Sequence, residues 1–162
     1  MNSCASGESI LPFRVMSPIG AVIKPCYGYR FEFGGRVAVF SSDTRYNETS
    51  SNTAPAPTSW MREVAIAAPE LMKEAYIQRI IAHHTTPRET GQVFALTRPK
   101  LAAYTHIVAI GNAQFAPPTV EDFIAQTRQT YDGPLVVGED LMTFDIGETV
   151  TVHRAQPQSA RA

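Results

Sequence analysis

Histidine is scarce in this chain. There are four in 162 residues, His83, His84, His106 and His153, and residues 1–82 contain none. A histidine-rich metal motif in the first half is therefore excluded. The two cysteines, Cys4 and Cys26, have no CxxC spacing and no neighbouring histidine, so they read as ordinary thiols rather than a zinc or redox pair. No apolar run approaches the roughly 18 residues that a membrane span requires. The first residues, MNSCASGESILPF, lack the basic and apolar regions of a secretory signal. The expectation is a cytoplasmic protein, with the reservation that an N-terminus lying further upstream would hide a signal. A net charge of −1 offers no electrostatic footprint for nucleic acid or an anionic membrane. Neither a P-loop nor a dinucleotide-binding GxGxxG occurs, and no segment repeats.

What is present has the length of one domain. The β signal is clearest in GYRFEFGGRVAVFSSDT, where alternating runs at Tyr29–Phe33 and Arg36–Phe40 flank Gly34-Gly35, a pair suited to a tight hairpin. Residues 44–59 hold few large apolar side chains and read as a long flexible loop. From Pro69, the spacing of Leu71, Met72, Ala75, Tyr76 and Ile80 predicts a helix with one apolar face, treated as core. Thr86, Pro87 and Glu89 predict a second helix opened by a capping box and ending at Arg98 before Pro99. KLAAYTHIVAI reads as a buried strand. A third helix is predicted from the Thr119 cap to the Gly133 stop, followed by two or three short strands to Arg154. The order hairpin, helix, helix, strand, helix, strands is an α/β layered pattern.

Several side chains could carry chemistry. Asp43 follows a strand directly, where a carboxylate is both fixed and reachable, although an Asx turn or helix cap also suits it. His106 sits among apolar neighbours, as a core histidine or as a ligand. His83 and His84 close the first helix, where positive charge is favoured. Adjacent residues do not share a helix face, so at most one of the two points into a site. Glu63, in REVAIA, is a carboxylate beside an apolar stretch. Ser41 and Ser59 have no Ser–His–Asp context.

Taken in order, GYRFEFGGRVAVFSSDT, REVAIAAPELM, AHHTTPRETGQVFALTRPKLAAYTHIV and VGEDLMTFDIG resemble the C-terminal half of metallo-β-lactamase-fold hydrolases. The branch they resemble is that of ribonuclease Z and arylsulfatase-like enzymes. The likeness covers about residues 12–154, with a gap in the loop. It implies an α/β fold, the incomplete C-terminal half of an αββα sandwich. It divides the chain into an N-terminal strand segment at 1–27, a partial domain at 28–154 with the flexible loop at 44–59, and a disordered tail at 155–162. It also implies roles: Asp43 and His106 as metal ligands, His84 as proton donor near the scissile group, and Glu63 as the carboxylate that orients His84. Arg62 stands where the family's histidine precedes that glutamate. Serine replaces the glycine of the family's GDT in SSDT, and a low-complexity loop stands where the family has a helix.

The family's two zinc ions depend on an HxHxDH motif, which this sequence lacks. A catalytic zinc needs three protein ligands and an open position, and Asp43 with His106 supply too few. The expectation is a truncated or degenerate chain with weak or absent zinc, inactive alone. It would act on a small ester or phosphodiester only if the missing half were supplied. The alternative is a non-catalytic interaction module or a half-domain that pairs with another chain. Half a sandwich leaves an apolar sheet face uncovered, so self-association through that face is expected.

Overall fold

Gly34 and Gly35 turn the first hairpin with φ of +53° and +74°, backbone angles that suit a two-residue turn between antiparallel strands and that glycine adopts at no steric cost. The computed structural model describes residues 8–14, 26–46 and 57–155. They form a six-stranded sheet in sequence order: β1 (Ser9–Arg14), β2 (Tyr27–Phe33), β3 (Arg36–Phe40), β4 (Ser59–Ala67), β5 (Leu101–Ile110) and β6 (Leu135–Val137). The first three strands pair antiparallel, and β3 through β6 run parallel. Helices α1 (Ala75–Ile81), α2 (Pro87–Thr97) and α3 (Val120–Thr127) lie in the crossovers, and β7 (Thr143–Ile146) pairs with β8 (Val150–His153) in a separate hairpin. Among the described residues no helix is long and apolar enough to cross a membrane.

Register sets one face of the sheet. Val39, Trp60, Ala102 and Leu135 stand abreast across β3 to β6. With Tyr104 they pack against Val93 and Phe94 of α2, Phe123 of α3 and Tyr131. Gly91 permits the close approach of α2 to the end of α3, because a Cβ there would lie 2.2 Å from Thr130 Oγ1 and 2.8 Å from the Thr127 carbonyl. The Tyr104 hydroxyl reaches Thr127 Oγ1 at 2.5 Å, and burial pushes the Tyr104 phenol well above its ordinary pKa. On the opposite face Ile10, Phe31 and Ala38 stand abreast, and Ile10, Phe31 and Phe33 remain 63%, 37% and 63% exposed. Phe144 and Ile146 of the β7–β8 hairpin border the groove there.

Several sequence expectations need correction. The sequence pattern assigns no element to residues 60–67, which belong to the central strand β4, with Arg62 and Glu63 both buried in it. No continuous helix starts at Pro69. A 3-10 segment, Pro69–Lys73, ends where Glu74 turns extended, and α1 begins afresh at Ala75. The buried residues are Leu71 and Ile77, while Met72, Tyr76 and Ile80, expected in the core, are exposed. The third helix stops at Thr127, where Arg128 caps it, and not at Gly133. Strand β5 is buried only over Leu101–Tyr104. The loop expected over 44–59 falls largely on residues 47–56, outside the described residues. At its ends Thr44 is buried and Ser59 already belongs to β4. Cys4 and the tail beyond residue 155 likewise lie outside the described residues. Both capping boxes are present: Thr86 with Glu89 and Thr119 with Asp122.

Candidate metal centre

The site is assembled where β3, β5 and the α1–α2 connection meet. Strand β3 ends at Phe40, and the Ser41 N–H still donates to the Met61 carbonyl at 3.0 Å. Asp43 therefore leaves a pinned strand end and projects into solvent, its side chain 61% exposed. On β5 the register slips. Arg62 faces Tyr104 but Val64 faces Ile107, so Thr105 and His106 together oppose Glu63. This bulge holds His106 at φ +44°, a left-handed backbone that costs a non-glycine residue about 1–3 kcal/mol. Bulges re-aim side chains, and here the result is His106 Nε2 at 3.4 Å from Asp43 Oδ1. His106 is thus no core residue; its side chain is 53% exposed.

His84 is placed by Glu63. The buried carboxylate meets His84 Nδ1 at 2.9 Å through Oε2 and accepts the Thr85 N–H at 2.8 Å through Oε1. Its own backbone N–H donates to Ser41 Oγ at 3.2 Å. Behind this pair, the fully buried Arg62 donates to Thr85 Oγ1 at 3.0 Å, and Thr85 Oγ1 donates to the Thr44 carbonyl at 2.6 Å. The Ala65 N–H donates to the Thr85 carbonyl at 3.0 Å. The connection carrying His84 is thereby stitched to both β4 and the β3 exit. Burial lowers the Arg62 guanidinium to about 10, still cationic at neutral pH. The hydrogen bond to Glu63 raises the His84 pKa, the carboxylate's charge adds to it, and partial burial opposes it.

Asp43, His84 and His106 offer ligand atoms that all lie within 4.8 Å of one another. A tetrahedral zinc with bonds of about 2.0–2.1 Å has ligand–ligand edges of roughly 3.3–3.4 Å. The 3.4 Å Asp43–His106 separation matches such an edge, and the His84 and His106 rings stand 5.7 Å apart. Glu63 engages Nδ1 of His84, which leaves Nε2 for the cluster, the arrangement in which a carboxylate orients a metal-site histidine. Asp43 and His106 fit two ligand positions around a divalent cation such as zinc, with His84 Nε2 beside them. His83, adjacent to His84, does not join it and lines a cleft of about 890 Å³ beside it instead. His153 is spent elsewhere, tying β8 to β7 through Asp145 at 2.8 Å.

Sequence reasoning picked out the four residues that meet here, Asp43, Glu63, His84 and His106. It missed the buried supports Arg62, Thr44 and Thr85. The one available signal was a charged dipeptide directly before an apolar run, which marks a buried strand whose charges must find partners.

The six-stranded sheet with its antiparallel hairpin, parallel strands and covering helices has the metallo-β-lactamase fold. Among solved structures, the metallo-β-lactamase-fold protein YhfI of Bacillus subtilis is similar at TM-score 0.62 and 14% identity, over 85% of this chain and 49% of that one. The short form of human tRNase Z is similar at TM-score 0.57 and 17% identity, over 90% of this chain and 46% of that one. A mutant of the CmlA beta-hydroxylase is similar at TM-score 0.58 and 11% identity, over 95% of this chain and 32% of that one. No protein-family model and no curated protein matches the sequence. The chain spans about half the length of the first two structures, and at these identities the likeness establishes the fold alone.

Proposed function

We propose that this chain carries part of the active site of a metal-dependent hydrolase of esters or phosphodiesters. The observation behind the reading is the Asp43–His84–His106 cluster with Glu63 seated behind His84. Asp43 and His106 are the direct ligands of a divalent cation, with zinc favoured by the nitrogen and carboxylate donors. When bound, such an ion supplies a Lewis acid and a water of lowered pKa. Glu63 holds the His84 ring by Nδ1 and stabilises its protonated form, so that Nε2 keeps a proton for the leaving oxygen. Arg62 and Thr85 keep the pair from rotating out of the site.

His84 cannot serve as proton donor and ligand at once, since a ligand must be neutral. Two firm ligands bind weakly, so the chain alone takes up zinc substoichiometrically and does not turn over. Metal analysis of the purified chain tests this, together with hydrolysis of bis-p-nitrophenyl phosphate. The expected result is substoichiometric zinc, reduced further by His106→Ala, and no hydrolysis above background. Tight stoichiometric metal with turnover would overturn the inactivity. Absence of any uptake at millimolar zinc would overturn the metal site.

A second reading, a half-domain completed by another polypeptide, is favoured by exposed Ile10, Phe31 and Phe33 on one sheet face. Phe33→Lys should then reduce self-association in light scattering, and a monomeric wild-type chain would count against it.

A further inference from the structure

The β7–β8 hairpin has two unlike faces: Phe144, Ile146, Val150 and Val152 are half-buried, whereas the residues between them are exposed. Strand β8 pairs with one edge of β7, and no described residue pairs with the other. That free edge walls a groove of about 620 Å³, formed by residues 144–147 on one side and floored by Phe31, Phe33, Arg36 and Ala38, with no residue of β8 in the lining. On the floor Phe31 stands abreast of Ala38, and Phe33 abreast of Arg36. Two unmet demands therefore share one groove. The outer edge of β7 carries backbone N–H and C=O groups that no described strand receives, and the floor holds the exposed rings of Phe31 and Phe33. An extended backbone answers both, because it pairs with β7 while its alternate side chains drop onto the floor. A helix would cover the floor and leave the edge unpaired. Two strands alone make a marginal sheet, so a third also steadies the hairpin. Arg36 adds a charge preference: it has no ion-pair partner among the described residues, and Asp145, the acid in the lining, is held by His153 at 2.8 Å.

Resting on the half-domain reading, we infer that this groove takes one strand of a different polypeptide, added to the free edge of β7, with apolar side chains at alternate positions and a carboxylate that meets Arg36. The strand runs at least the length of β7, 4 residues. A second copy of this chain does not fit by two-fold pairing of β7 with β7. The apolar floor extends beneath the free edge in each copy, so burying both floors would put two six-stranded sheets in one volume. The self-association expected of the isolated chain is then what an unfilled groove does.

The test uses the whole chain and fluorescein-labelled hexapeptides, with binding read by fluorescence anisotropy. The probe is a glutamate followed by alternating valine and threonine, and the control has the same composition with its valines grouped. The alternating peptide should bind about tenfold or more tighter, the worth of one further valine taken from water into the groove. N-methylation of every second backbone amide blocks one edge of the probe. Of the two N-methylated versions, the one blocked toward β7 should lose binding and the other should keep it. Bound probe should also slow hydrogen exchange at residues 143–147. Phe33→Lys should abolish binding, and Arg36→Gln should weaken the glutamate probe while leaving a glutamine version unchanged, with circular dichroism showing both variants folded. Equal binding of the alternating and grouped peptides, or the same outcome for both N-methylated versions, overturns the inference. Probe binding to a wild-type chain that stays monomeric would remove the half-domain reading and leave the groove standing. Self-association that Phe33→Lys abolishes, with no probe bound, would keep that reading and overturn strand addition.

Discussion

Replacing Glu63 by glutamine keeps the size of the side chain and removes its charge, at a position 1% exposed. The native carboxylate meets two groups, the Thr85 N–H at 2.8 Å and His84 Nδ1 at 2.9 Å. A glutamine can accept the Thr85 N–H through its oxygen and turn its NH₂ to His84 Nδ1, which suits only the neutral imidazole with its proton on Nε2, so the charge-assisted bond to a protonated His84 is lost. One hydrogen bond to a charged group contributes about 1.5–3 kcal/mol, and the buried Arg62 loses a neighbouring negative charge as well. The expected cost is about 2–4 kcal/mol at neutral pH. At roughly 2–4 °C per kcal/mol for a chain of this size, the melting temperature falls by about 4–16 °C. Total stabilities of about 5–15 kcal/mol leave the variant folded. Its second signature is specific to the pairing: the His84 pKa, raised by Glu63, returns toward the ordinary histidine value. Thermal melts combined with histidine NMR titration measure both. A variant that loses stability while His84 still titrates as in the wild type would refute the account of how His84 is held.

The metal-free wild type should show the corresponding pH dependence. His84 has a raised pKa in the fold, so its stabilisation is fully present below the unfolded value of about 6.5 and is lost as pH rises through the folded value; urea melts from pH 5.5 to 9 should show that decline, and Glu63→Gln should flatten it. Gly91→Ala should destabilise by about 1–3 kcal/mol, because the new methyl group meets the Thr127 carbonyl and Thr130 Oγ1 and forces α2 from α3; a neutral result in denaturant melts would mean the two segments move apart freely. Thr86→Ala removes the half of the α2 capping box in which Thr86 Oγ1 accepts the Glu89 N–H, keeps the Thr86 N–H bond to Glu89 Oε2, and should cost about 1 kcal/mol. Because α2 follows His84 directly, hydrogen exchange at residues 84–89 should also quicken, and unchanged protection there would separate the cap from the site.

Some of this architecture is legible along the chain because its cause is local. Gly34-Gly35 specifies a turn through backbone freedom, and Thr86 and Thr119 specify helix starts through side chains that satisfy nearby N–H groups. Asp43, Glu63, His84 and His106 were found through their order, which matched a known series of motifs. The helix face at Tyr76 and Ile80 was legible as a periodicity and misread in its destination. Periodicity reports that one side of a helix is apolar; it does not report whether that side meets the core or an open cleft.

The sequence by itself determined the hairpin, the two capped helices, the layered α/β class and the cast of candidate site residues, since each depends on neighbours a few positions away. Only the tertiary structure decided what those residues do together. Glu63 and His84 meet across 21 positions and Thr85 and Thr44 across 41, separations over which no local preference acts. The bulge that turns His106 toward Asp43 exists only in the pairing of β4 with β5, and the burial of Arg62-Glu63 only in a strand covered on both sides. A buried charge needs a partner, and which partner it finds is a property of the folded chain.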